Sequence, residues 1–169
     1  MESKTVFEGF FNVRRDWVKG HSYDVIEMPN NSVSVIVETT PKTLLLQWEF
    51  RHPMQKRLLS TVGGLIDKDE TPLQAAEREL LEETGYRAKN FQILGEHYPF
   101  PGITAQKLYV VLATDAYLAK PQKLDALEDI QTDLIEYGSL PQMISTASVD
   151  GVLLASLQLY QWHLINRSV

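Results

Sequence analysis

Glu79, Glu82 and Glu83 fall close together in a stretch whose apolar spacing is helical. At about 100° per residue their side chains project within an arc of about 100°. Like charges so placed repel and weaken a helix. Clustering them is useful where something positive binds. All-oxygen clusters suit hard divalent cations, and magnesium commonly keeps waters and a phosphate oxygen in its shell. Such an ion offsets the charge of a bound phosphate group and acidifies a water, and a nearby carboxylate can take the proton. The plain alternative is a solvated acidic helix face, which is common. Gly63-Gly64, just upstream, lets backbone carbonyls come close to an ion. No Ser-His-Asp set, Gly-x-Ser-x-Gly turn or Walker loop is present, so a covalent mechanism has no visible residues. His21, His52, His97 and His163 show no metal-ligand spacing, and there are no cysteines to bind zinc or act as a nucleophile.

These side chains need a helix to carry them and strands to hold it. The spacing predicts a helix over Pro72 to about Thr84. Thr71 is the N-cap, Pro72 takes the first position, Gln74 completes a capping box and Gly85 ends the helix in a left-handed conformation. Leu73, Ala76 and Leu80 share one face. A second long helix is predicted over Asp150 to Asn166, with Leu153, Leu154, Leu157, Tyr160 and Leu164 on its apolar side, and a short one over Ser139 to Thr146. Strand-like stretches run from Val6 to Val13, Ser22 to Met28, Ser32 to Thr39, Thr43 to Phe50, Phe91 to Tyr98, Lys107 to Thr114 and Thr132 to Tyr137. The unbroken Leu44 to Leu46 run predicts a strand covered on both faces. The class is therefore mixed α and β, in one domain over residues 1–169.

Composition narrows the function classes. The chain has 169 residues, 44% apolar and 22% charged, with a formal net charge of -6. An acidic excess argues against a general nucleic-acid binder, and there is no polybasic membrane patch. No run is long and apolar enough to span a bilayer and no signal-peptide core opens the chain, so a cytoplasmic protein with neither nucleic acid nor membrane as partner is expected. The excess is concentrated: Asp67, Asp69, Glu70, Glu77, Glu79, Glu82 and Glu83 face only Lys68 and Arg78 within residues 64–85.

Gly64, five residues, Glu70, seven residues, Arg78-Glu79-Leu80, one residue, Glu82-Glu83, one residue, Gly85 and Tyr86 match the Nudix box at every fixed position. Tyr86 is the loosest fit, where the family more often has an aliphatic residue. The chain thus resembles the Nudix hydrolases. The resemblance implies an α+β fold, an α/β/α sandwich with a mixed sheet, here with an N-terminal β extension. It implies hydrolysis of a nucleoside diphosphate linked to another moiety, with magnesium or manganese. It further implies that Glu79 and Glu83 bind metal with Glu82 close by, that the Gly63 carbonyl completes the site, and that Arg78 pairs with Glu70. Gly64 and Gly85 are structural in the motif.

Features outside the box resemble the ADP-ribose pyrophosphatase and nucleoside diphosphate sugar hydrolase subclass. Gln47-Trp48-Glu49-Phe50-Arg51-His52-Pro53 resembles their Gln-Tyr-Arg-His-Pro stretch, which makes Arg51 a phosphate contact. Pro101 stands near their characteristic proline. Arg14-Arg15-Asp16-Trp17-Val18 resembles their N-terminal segment, so Trp17 is a candidate for stacking on the base. Leu127-Glu128-Asp129-Ile130 resembles the loop that supplies a further catalytic glutamate, which nominates Glu128, with Glu136 as the alternative. Catalytic roles are thus expected of Glu82, Glu83 and Glu128. Two departures stand out. Thr61-Val62 replaces the usual proline before the glycines, and Thr104-Ala105-Gln106 and Ala126 occupy places where relatives carry acidic residues. These leave the general base and strict ADP-ribose specificity open, and GDP-mannose stays an expected substrate. Nucleoside triphosphates or dinucleoside polyphosphates, and a non-catalytic nucleotide-binding module, are the other readings. The resemblance also implies a homodimer, with about residues 1–40 at its interface.

Overall fold

A computed structural model describes residues 2–40 and 42–167. Strands β1 (Glu2–Phe7), β2 (Asn12–Val18) and β3 (His21–Glu27) form an antiparallel sheet of their own, in the order β1-β2-β3. The chain breaks the expected Val6–Val13 strand at residues 8–11. This exposed hairpin turn contains Gly9, and Arg14–Val18 becomes part of β2.

The main sheet follows. Its strands are β4 (Ser32–Thr40), β5 (Thr43–Arg51), β6 (Lys56–Ser60), β8 (Asn90–His97), β9 (Leu108–Thr114) and β11 (Ile130–Glu136). The order is β11-β5-β4-β9-β8, with β6 also paired to β5. Only the β4–β9 pairing is parallel, so the sheet is mixed. Strand β6 is absent from the sequence reading because Lys56-Arg57-Leu58-Leu59-Ser60 does not alternate. A 3-10 turn over His52–Met54 and a left-handed Gln55 (φ 50°) fold it back onto β5. Two very short strands, β7 (Tyr86–Arg87) and β10 (Tyr117–Leu118), pair with each other.

Helix α1 (Pro72–Thr84) covers one face of the sheet and α3 (Gly151–Arg167) the other, with α2 (Leu140–Thr146) before α3. Strand alternation sorts the core between them. Val35, Val37, Leu45, Val111 and Ala113 pack with Ala76 and Leu80 of α1. Ile36, Leu44, Leu46, Val110 and Leu112 pack with Leu153 and Tyr160 of α3. Leu44–Leu46 is accordingly buried on both sides. The expected helix faces are rotated slightly. Leu73 and Leu154 are exposed, while Ala75 and Ser156 are fully buried, because small side chains let each helix lie close to the sheet. Ser156 is accommodated by a hydroxyl chain, Thr61–Ser34–Ser156, with both O–O distances at 2.7 Å. Among the described residues, no helix is long and apolar enough to cross a membrane.

Candidate functional site

Helix α1 is held firmly at both ends. Thr71 Oγ1 accepts the Gln74 N–H at 3.3 Å, and Gln74 Oε1 accepts the Thr71 N–H at 2.8 Å. At the other end Gly85 adopts φ 75°, and a Cβ there would lie 2.0 Å from the Lys120 carbonyl oxygen. That close approach is used. The N–H groups of Ala119 and Lys120 donate to Gly85 O, and Lys123 N–H donates to Glu82 O at 2.8 Å. The segment after β10 is thereby strapped to the end of α1, which brings residues 123–128 over the helix's acidic side.

The loop before α1 is held by Arg78. Its Nε and Nη2 each donate to one oxygen of Glu70 at 2.9 Å, Nη2 also donates to Leu65 O at 2.9 Å, and Nη1 donates to Glu79 Oε1 at 2.8 Å. Glu82 Oε2 lies 3.4 Å away. The planar fork satisfies loop and helix at once, as a lysine could not. These hydrogen bonds hold the Glu70 carboxyl below its usual range.

The two glycines admit two different neighbours. A Cβ on Gly63 would lie 2.2 Å from Val33 O, because residues 62–65 run along β4, with Val35 N–H on Val62 O and Val33 N–H on Gly64 O. A Cβ on Gly64 would lie 2.1 Å from Glu79 Oε1. The first glycine is needed by the backbone and the second by the Glu79 carboxylate.

Glu79, Glu82, Glu83 and Glu128 line one cavity of about 120 Å³, together with Arg78, Lys123 and Asp125. Glu83 is 4% exposed. Its Oε2 accepts the Gly63 N–H at 3.0 Å and faces Gln47 Nε2 at 3.4 Å. Burial pushes its pKa up to about 8. The charges of Glu79, Glu49 and Glu128 add to that, and the Gly63 N–H opposes it. Burial also pushes Glu79 up, against the pull of Arg78. Among the described residues no three acidic or histidine side chains converge on one point at metal-ligand distance. Arg78 draws Glu79 aside, Gly63 draws Glu83, and the Asp125 N–H holds Glu128 Oε2 at 2.8 Å. The donor set nevertheless fits a hard divalent cation. It is all oxygen and strongly acidic, and it includes a buried carboxylate, Glu83, with no cationic partner among the described residues, which is costly unless a positive charge comes to it.

A second cavity, of about 300 Å³, adjoins the first across Gly63 and Gly64, and Arg51 and Asp150 line it. Arg51 pairs with Glu49 at 2.5 Å and faces Asp150 at 3.6 Å. Gln47, Glu49 and Arg51 alternate along β5 and so share a face that runs from Glu83 toward Asp150. Burial raises the Glu49 pKa, and Arg51 partly offsets it. Trp17 is 38% exposed on β2, and Pro101 lines a separate cavity with Tyr23 and Tyr98. Neither lines the two cavities at the acidic cluster. Glu136, at the far end of β11, accepts from Thr43 Oγ1. Sequence reasoning missed Gln47, Glu49 and Asp150. Period-two spacing from Arg51 was a usable signal for the first two. Asp150 had none, since only the fold brings it to Arg51.

Residues 28–144 match the NUDIX domain family. An ADP-ribose pyrophosphatase of Bacillus subtilis is 29% identical over 114 residues, a match spanning 67% of this chain and 61% of that protein. A GDP-mannose pyrophosphatase of Yersinia enterocolitica is 30% identical over 177 residues, spanning 88% of this chain and 91% of that protein. The crystal structure of an ADP compounds hydrolase superposes with a TM-score of 0.84 at 21% identity, covering 99% of this chain and 94% of that one, so the fold is shared.

Proposed function

We propose that this chain, which belongs to the NUDIX domain family, hydrolyses the diphosphate bond of nucleoside diphosphate sugars, releasing a nucleoside monophosphate and a sugar phosphate. The observation that carries the reading is the acidic cavity shared by Glu79, Glu82, Glu83 and Glu128 beside a second cavity that holds Arg51. The names of the ADP-ribose and GDP-mannose pyrophosphatases it resembles supply the substrate class.

Hydrolases of this family generally use divalent metal ions. In this chain Glu79, Glu82 and Glu83, with the Gly63 carbonyl, are the residues that would hold the ion, magnesium or manganese. When bound, it supplies charge neutralisation for the diphosphate and an acidified water. Arg51 offers two parallel N–H donors to a phosphate oxygen pair. Glu49 and Asp150 hold its guanidinium in place. Glu128, carried in on the strapped loop, accepts the proton of the attacking water. Arg78 acts at a distance, fixing the loop whose glycines separate the two cavities.

The reading includes a homodimer through the N-terminal sheet, on which Phe7, Trp17 and Val18 are exposed, with Phe10 exposed in its hairpin turn. Light scattering across micromolar concentrations checks it, and a monomer throughout would remove it. Activity is tested with a panel of nucleoside diphosphate sugars and nucleoside triphosphates with magnesium, with products separated and oxygen incorporation from heavy-oxygen water located. Cleavage of ADP-ribose or GDP-mannose, abolished by a chelator, is expected. Turnover of triphosphates alone would overturn the substrate class.

A further inference from the structure

We propose that Asp150 and Ser60 form a diol-binding subsite beside Arg51, in which the Asp150 carboxylate accepts two neighbouring hydroxyls of a sugar ring attached to the bound diphosphate. The inference rests on the reading above and names what determines its specificity.

The subsite is built by a pairing between distant parts of the chain. Leu59 N–H donates to Ser148 O and Asp150 N–H donates to Leu59 O, both at 2.9 Å, so the segment before α3 is fixed against β6. Asp150 Oδ1 then accepts the Val152 N–H at 2.8 Å. Its Oδ2 is held only loosely, with Ser60 Oγ at 3.5 Å and Arg51 Nη2 at 3.6 Å. An ionised carboxylate is an acceptor with about four lone-pair positions, so Asp150, which lines the cavity, has acceptor capacity unused. Phe100 supplies an apolar wall to the same cavity, and its volume of about 300 Å³ exceeds that of a single sugar ring.

The chemistry selects the occupant. A carboxylate repels phosphate, so Asp150 does not hold the diphosphate itself. It needs neutral donors on an otherwise anionic ligand, and sugar hydroxyls are such donors. Distance selects among them. Asp150 lies so near Arg51 that whatever it binds must be joined directly to the phosphate Arg51 holds. That position belongs to a sugar ring, whereas a nucleobase lies one ring further away. Two rings meet the condition, the terminal sugar and the nucleoside ribose, and the shared recognition element is a vicinal diol.

The test uses Asp150→Asn, which keeps the shape and the Oδ1 acceptor for Val152, with Asp150→Ser as a second variant that also caps. Both are compared with the parent on GDP-mannose, on GDP esterified to a simple alkyl alcohol, and on the 2′-deoxyguanosine form of GDP-mannose. A fall in kcat/KM of about 10- to 100-fold is expected on the substrate whose diol is read. It should shrink to within about threefold on the analogue that lacks that diol. The alkyl ester removes the terminal sugar and the deoxy form removes the ribose diol, so the two arms identify the ring. Equal slowing on all three substrates would mean that Asp150 acts only by holding Arg51, and would overturn the subsite while leaving the proposed function intact. A parent that cleaves no nucleoside diphosphate sugar removes the function and the subsite together.

Discussion

The backbone N–H of Gly63 lies 3.0 Å from Glu83 Oε2, a bond that ties the glycine loop to the most buried carboxylate of α1. It joins the two halves of the site, because Gly63 lines the cavity of Arg51 and Glu83 lines the acidic one. Glu83→Gln keeps this acceptor and removes the charge. Turnover should fall at least about 100-fold, while the metal-free melting temperature holds or rises as repulsion among the glutamates is relieved. Equal rates for variant and parent on ADP-ribose and GDP-mannose would end the assignment of Glu83.

The same residue sets a pH dependence. Its folded-state pKa, about 8, stands above the ordinary carboxyl value of 4.5. The stabilising contribution of its proton is therefore complete below about 4.5 and is lost as pH rises through about 8. Glu79 is raised and acts in the same direction, whereas Glu70 is lowered, so its contribution is lost only as pH falls through its folded-state value, below 4.5. Metal-free protein should lose melting temperature between about pH 5 and pH 8. Saturating magnesium should remove much of that loss, and Glu83→Gln should flatten it. A metal-free melting temperature that climbs steadily over this range would contradict the account.

The adjacent glycines should respond differently to alanine. Gly63→Ala drives a methyl into Val33 O, a backbone atom that cannot move alone, and should cost about 1–3 kcal/mol of stability. Gly64→Ala meets the end of the Glu79 side chain, which can swing away, so stability should change less and activity more. Denaturant unfolding and turnover, measured on both variants, separate the two effects. If Gly64→Ala proves the less stable and the more active, the division of roles is wrong.

Two glutamates compete for the role of proton acceptor. Glu128 lines the acidic cavity and Glu136 pairs with Thr43 at the other end of β11. Glu128→Gln should lower kcat about 100- to 10,000-fold with little change in KM, and Glu136→Gln should stay within about twofold of the parent. The reverse ranking in steady-state kinetics would transfer the role to Glu136.

Much of this was written locally. The box residues, the capping box of Thr71 and Gln74 and the left-handed Gly85 are short-range features, readable because a helix repeats every few residues. The main-sheet strands around them were legible from apolar runs and turns. Strand β6 was not, since its residues do not alternate. The helix faces were off by a residue or so, because Leu73 and Leu154 yield the contact to Ala75 and Ser156 where close approach matters more than hydrophobicity.

By itself the sequence determined the family, the α+β class and the cluster of acids on one helix, because those depend on spacing within a short segment. Tertiary structure alone decided that Glu128 shares the cavity of Glu79 and Glu83, that Asp150 reaches Arg51, and that Trp17 and Pro101 lie outside both cavities. Each of those relations depends on hydrogen bonds between segments far apart in the chain, such as Lys123 to Glu82 and Asp150 to Leu59. Contacts of that range are set by how the sheet and helices pack and leave no periodic trace in the residues they join.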